Sequence, residues 1–202
     1  MSMSATIESP QPPVPWPIFR LSVEQYHDMI KCGILTEDDP LELLEGILVE
    51  KMPKKPGHSG ATRKARETLR KVVLPGWFAD SQEPITTEDS EPEPDLAVIR
   101  GKPEDFLEIH PRGRDVGMTV EVADTSLARD RGSKKTIYAR ANIPVYWIIN
   151  LLERQIEVYT EPTGHLDKPD YRQRQDYAET DEVPLVLDGT EVARLRVTDL
   201  LP

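Results

Sequence analysis

The sequence predicts a single-domain α/β fold, a central mixed β-sheet flanked by helices. Three observations carry this expectation. The stretch 118–150 reads MTVEVADTSLARDRGSKKTIYARANIPVYWIIN. It runs strand, helix, strand, the pattern of a crossover that joins parallel strands and packs its helix on the sheet. The stretch 154–160 then alternates Ile156 and Val158 with Gln155, Glu157 and Tyr159. That reads as a half-exposed strand, antiparallel to 145–149 across a short turn. Finally, 202 residues suit one domain with a core that needs no staples.

In chain order, residues 1–19 hold Pro10, Pro12, Pro13, Pro15 and Pro17, an extended and flexible tail, and the domain follows at 20–202. Ser22 opens a helix with Gln25 at capping-box spacing, and Gly33 stops it. Residues 41–52, LELLEGILVEKM, alternate around Glu45-Gly46 as a tight hairpin or a bulged strand. Pro53 and Pro56 end it. His58 or Ser59 opens a helix to about Val73, with Ala61, Ala65, Thr68, Leu69 and Val72 inward. Residues 77–82 form a strand, and the acidic run TTEDSEPEP is a loop whose prolines keep it out of a ladder. A short buried strand at 96–99 and a connection with one helical turn near Phe106 lead to the central unit. After it, 161–182 reads as polar loop. Residues 185–187 and 192–197 suggest a last edge hairpin, with Leu200 covering the core.

Composition narrows the setting. One cysteine, Cys32, excludes an intrachain disulfide and suits a reducing compartment. The first twenty residues lack a signal-peptide pattern. No apolar stretch approaches the roughly 20 residues that span a bilayer. A soluble cytoplasmic protein without membrane contact is expected. The net charge of −11 argues against tight nonspecific binding to nucleic acid. Its distribution argues otherwise. Residues 51–71 hold eight basic residues and one acid, residues 129–140 five and one, so the remainder carries −22. A basic face on an acidic body fits a polyanion held loosely. Solvated helix faces would give the same pattern.

Two acids sit where buried strands want apolar residues. Glu121 lies between Val120 and Val122, and Asp95 stands at the mouth of the run 96–99. A buried carboxylate must be paired, protonated or bound to metal. Hard oxygens of this kind suit Mg²⁺ or Mn²⁺. With a lysine from the next helix, they amount to phosphodiester hydrolysis. Plainer readings exist for several of these residues. Asp95 follows Pro94 and could cap a turn. Asp130 and Lys134 are spaced for an exposed i,i+4 ion pair, and Tyr138 on the same face for packing. Zinc is not indicated: the four histidines and Cys32 lack ligand spacing. Neither a phosphate-binding glycine loop nor a serine nucleophile elbow is present.

The segments PEPDLAVIRG (92–101), TVEVADTSLARDRGSKKTIYARANIPVYWIINL (119–151), IEVY (156–159) and VTDLLP (197–202) resemble the Uma-two family of restriction endonucleases, within the PD-(D/E)XK nuclease superfamily. The resemblance runs over 19–202 and is strongest over 92–160. It implies a restriction-endonuclease-like sheet flanked by helices, often a homodimer, and a metal-dependent nuclease acting on DNA. Asp95 and Glu121 are implied as metal ligands, with the backbone carbonyl of Val122 helping. The superfamily lysine two residues after the second acid is Ala123 here; the family supplies it from the following helix, at Lys134. Lys135 stands beside it, one residue out of phase. Glu45 and Gly46 match an early Glu-Gly element, so Glu45 is implied as a further acid at the metal. His58 matches a position at the start of its helix. Lys64, Arg66, Lys71 and Lys135 are the candidates for nucleic-acid contact. Where the family has Gly after Ala141 this chain has Asn142, the next best residue for a left-handed cap. Family membership alone leaves a second expectation standing: a non-catalytic nucleic-acid-binding or assembly module, working with a protein partner.

Overall fold

The computed structural model describes residues 17–36 and 38–202; residues 1–16 of the proline-rich tail expected at 1–19 lie outside the described residues. Helix α1 (Val23–Lys31) starts at the expected reciprocal cap. Ser22 accepts from the Gln25 N–H, and the Gln25 side chain accepts from the Ser22 N–H. Strands β1 (Leu41–Leu44) and β2 (Ile47–Glu50) form an antiparallel hairpin. Its two turn residues, Glu45 (φ 48°) and Gly46 (φ 75°), are both left-handed, as a two-residue hairpin turn requires. Helix α2 (Pro56–Val72) begins two residues before the expected His58. Pro56 does not end the preceding segment. It occupies the first helical turn, where its missing N–H breaks no bond.

Strands β3 (Trp77–Asp80), β4 (Leu96–Arg100), β5 (Val116–Ala123), β6 (Val145–Asn150), β7 (Gln155–Pro162) and β8 (Tyr171–Ala178) lie in that order across one sheet. Every neighbouring pair is antiparallel except β5–β6, which is parallel. The crossover between them contains α3 (Leu127–Arg129), a π-helical turn (Asp130–Lys134) and α4 (Lys135–Arg140). Alternate side chains feed two layers. Val98, Met118, Val120 and Trp147 pack against Ala61, Ala65 and Leu69 of α2. Ala97, Tyr146, Ile148 and Tyr159 pack against Ile137 and Tyr138 of α4. Every residue of β5 and β6 is buried, the expected state of a parallel pair covered on both faces. The architecture is therefore the mixed α/β sheet expected. Among the described residues no helix is long and apolar enough to cross a membrane.

Three expectations need correction. First, β7 is not half-exposed. Glu157 is fully buried, held by Arg131, Asn150 and Tyr159, so its polar alternation marks an internal network. Second, 161–182 is not all loop. The run YRQRQDYA forms edge strand β8, which pairs through backbone while most of its side chains stay in water. Third, the last hairpin, β9 (Glu182–Leu187) and β10 (Thr190–Arg196), is a separate two-stranded sheet. Val183, Leu185 and Leu195 join the α2 layer, so it covers a face of the main sheet and does not extend its edge. Asn142 does adopt the left-handed conformation (φ 56°) that ends α4.

Gly117 gives a local test of this packing. A Cβ there would lie 2.6 Å from the Trp77 ring and 3.1 Å from Leu187. Gly117→Ala is expected to cost about 1–3 kcal/mol by overpacking. Urea unfolding with a lowered midpoint and an unchanged m-value would show it.

Candidate active site

The register of β4 and β5, with Leu96 opposite Val120, brings Asp95 beside the far end of β5. There the Val122 N–H donates to Asp95 Oδ2 at 2.9 Å. His58 Nε2, from the first turns of α2, lies 3.0 Å from the same oxygen. Glu121 projects toward the α4 layer, where Tyr138 donates its hydroxyl proton to Oε1 at 2.6 Å. Lys134 Nζ stands 3.4 Å from that oxygen and 2.6 Å from Glu42 Oε2. Glu42 comes from β1 and also accepts from the Glu93 N–H at 3.2 Å.

The π turn explains how the crossover delivers its side chains. The Lys135 N–H reaches back to the Asp130 carbonyl, and Gly132 (φ −106°, ψ −105°) leaves helical geometry. Such widened turns cluster at functional positions. Here the turn buries both Asp130 and Lys134, each 2 % exposed. They are not the exposed i,i+4 pair that their spacing allowed: Lys134 turns to Glu42 and Glu121, and Asp130 accepts from the Ser126 hydroxyl at 2.6 Å. Arg131 points elsewhere, clamping the buried Glu157 through Nε at 3.0 Å and Nη2 at 2.5 Å. Burial opposes the charge on Glu157, but Arg131, Tyr159 and Asn150 outweigh it and hold the carboxyl below its ordinary value.

Glu42, Asp95, Glu121, Asp130, Lys134 and His58 line one cavity of about 90 Å³. Burial pushes Glu121 up to about 8, Lys134 opposing, Asp130 and Asp95 adding to the rise. Burial likewise raises Asp130 to about 6, against the Ser126 hydrogen bond and Lys134. For Lys134 burial pulls down, but Glu121 and Glu42 outweigh it and hold the ammonium above the ordinary lysine value. The cavity thus crowds carboxylates around one firmly charged ammonium. Among the described residues no three acid, histidine or cysteine side chains form a ready-made metal cage.

Of the residues singled out by sequence, Asp95, Glu121 and Lys134 meet here, and Val122 enters through its N–H. Glu45 does not join them. It sits in the hairpin turn, 2.7 Å from Arg140 Nη2, and Arg140 also pairs with Asp89. Lys135 faces away and pairs with Asp170 at 2.7 Å. On α2, Lys64 donates to the Thr198 and Leu201 carbonyls and Arg66 to Ser81, while Lys71 stays in water. None of these four lines the cavity. Glu42, Asp130, His58 and Tyr138 are the site members that sequence reasoning did not assign. Glu42 carried the signal that marked Glu121, an acid inside an apolar run, LELL.

The mixed sheet, the acids on neighbouring strands and the helix-borne lysine define a restriction-endonuclease-like α/β domain. The comparisons agree. A family profile described as "Putative restriction endonuclease" (Uma2) matches residues 23–195, and the chain belongs to that family. A solved structure from Anabaena variabilis, described as a "putative nuclease belonging to DUF820", superposes with a TM-score of 0.68. That match covers 89 % of this chain and 97 % of the other at 18 % identity, a likeness of fold. No curated protein matches the sequence.

Proposed function

We propose that this protein is a divalent-metal-dependent nuclease that hydrolyses phosphodiester bonds in DNA. One observation carries the reading: a lysine ammonium buried between Glu42 and Glu121, in a cavity shared with Asp95. The donor set fits a hard cation. Its oxygens are carboxylates, and Glu121 is driven toward protonation by burial, so a dication would take the place of that proton. A site without a full protein cage suits an ion that keeps much of its water shell, as Mg²⁺ does. Asp95 and Glu121 would hold it, with the Val122 carbonyl beside them. When bound, such an ion lowers the pKa of water and polarises a phosphoryl oxygen.

The chain's own groups do the rest. Lys134 holds its positive charge where negative charge grows on the phosphate. Glu42 fixes the ammonium at 2.6 Å, and Tyr138 fixes one oxygen of Glu121, leaving the other for ligand. Val122 and His58 orient Asp95. Burial keeps bulk water from screening these charges.

The test is cleavage of supercoiled and single-stranded DNA with Mg²⁺ or Mn²⁺. Wild type is expected to cut and to stop with EDTA. Asp95→Asn should lose activity by a factor on the order of 10² or more, comparable to the loss of one preorganised charge. Glu42→Gln should weaken cleavage and Glu45→Gln should not. Equal activity in wild type and Asp95→Asn would sink the assignment of the site.

A further inference from the structure

We infer that Arg129 is a phosphate-binding residue of this cavity, its guanidinium taking the non-bridging oxygens of a substrate phosphodiester; the inference rests on the nuclease reading above. Arg129 lines the cavity and is 28 % exposed at its side chain. The one carboxylate within 4.0 Å of it among the described residues is Glu42, with Nη1 4.0 Å from Oε1, beyond hydrogen-bond reach, and Asp130 feels its charge from farther off. Glu42 is already committed, its other oxygen held by Lys134 and the Glu93 N–H. The Nε–H of Arg129 is buried and has no partner. A guanidinium carries five donors in a rigid fork, and a buried donor left unmet is costly.

Three other buried side-chain atoms lack partners among the described residues: Arg66 Nε, Thr119 Oγ1 and Trp147 Nε1. None belongs to a residue lining this cavity. Arg129 is therefore the residue of the cavity lining that retains an unmet donor. The neighbouring cations are mostly spent: Lys51 pairs with Glu93 at 2.8 Å and Lys55 with Asp124 at 3.0 Å. The ligand class follows from shape and charge. Planar bidentate donors select an oxyanion with two oxygens to offer, and phosphate is such a group. A cavity of about 90 Å³ is well below the roughly 300 Å³ of small-molecule sites, so it admits a phosphoryl group and water, not a nucleoside.

The experiment measures binding, apart from cleavage. A fluorescein-labelled single-stranded oligonucleotide and its neutral methylphosphonate counterpart are titrated by anisotropy in Ca²⁺, with gels confirming intact probe. Wild type, Arg129→Gln, Arg129→Lys and Lys168→Gln, at an exposed lysine outside the cavity, are compared, each checked by its melting midpoint. Arg129→Gln is expected to weaken binding of the phosphodiester probe about tenfold and to lower the salt slope by about one. Arg129→Lys should recover part of this, having the charge but not the fork. Lys168→Gln should change affinity less than about twofold. The methylphosphonate probe should not distinguish wild type from Arg129→Gln. If Arg129→Gln melts early, Arg129→Lys carries the comparison, and unchanged affinity there overturns the inference. Unchanged affinity in Arg129→Gln, with wild type binding and cutting DNA, overturns the inference alone. An equal loss against methylphosphonate also overturns it. A wild type that neither binds nor cuts brings down the inference and the nuclease reading together.

Discussion

Lys134→Ala is expected to abolish cleavage and to lower folding stability by about 3–5 kcal/mol at about pH 9.5, where Glu121 is ionised and Lys134 still charged. Removing one member of a buried charge cluster leaves the others uncompensated, and such losses fall in that range. The two carboxylates touching the ammonium, Glu42 and Glu121, are both buried, so water cannot replace it. In a chain of this size the loss corresponds to a fall in Tm of roughly 10 °C. The direction with pH separates charge from packing. Near pH 5 Glu121 carries its own proton, since its value lies near 8. The charge it needs balanced is then gone, and the variant's deficit should shrink. Lys134→Met, which keeps the packed stem, should show the same pH trend with a smaller deficit at pH 5. A deficit in Lys134→Ala that stays constant from pH 5 to about pH 9.5 would mean that packing, not charge, is what this residue supplies.

The sequence made the central unit legible because two signals coincided there. Apolar runs marked β5 and β6, and a single acid inside the first run could not be explained by packing. Misplaced acids marked Asp95 and Glu121, the family resemblance singled out Lys134, and the structure gathers those three in one cavity. The choice between Lys134 and Lys135 depended on helix phase, which the π turn sets and which no sequence period encodes. Glu42 and Glu45 posed a similar problem. Both belong to one hairpin, and only the turn geometry shows that Glu45 goes out to Arg140 while Glu42 goes in. Polar edge strand β8 was illegible for another reason. Its pairing is backbone to backbone, and its side chains, facing water, have no pattern to follow. Glu157 misled by the reverse effect. A buried acid fully matched by Arg131, Asn150 and Tyr159 alternates in sequence as an exposed one does.

In the absence of metal, stability is expected to fall as pH rises from about 5 to 8, and Glu121→Gln to remove most of that fall. The folded protein holds the Glu121 proton until about pH 8, whereas the ordinary value is 4.5. Between those values the unfolded chain has released a proton that the folded protein keeps. Raising the pH therefore favours unfolding. At about 1.36 kcal/mol per unit, Glu121 alone contributes a loss on the order of 4 kcal/mol across the window. Asp130, raised from 3.8 to about 6, adds to the lower part with the same sign. Lys134 does not offset this. Its value is raised above 10.5, so its contribution is fully present throughout the window and is lost only at higher pH. Thermal melts in EDTA at pH 5 and pH 8 measure the slope directly. Adding Mn²⁺ or Mg²⁺ at pH 8 should recover stability in wild type, because a cation that binds only the folded protein raises its melting point. Glu121→Gln should keep only the shallow fall that Asp130 contributes near pH 5 to 6, and gain little from the ion. A wild-type profile that shows no fall from pH 5 to 8 in EDTA would mean that Glu121 is ionised in the folded protein, already balanced by Lys134 without any metal.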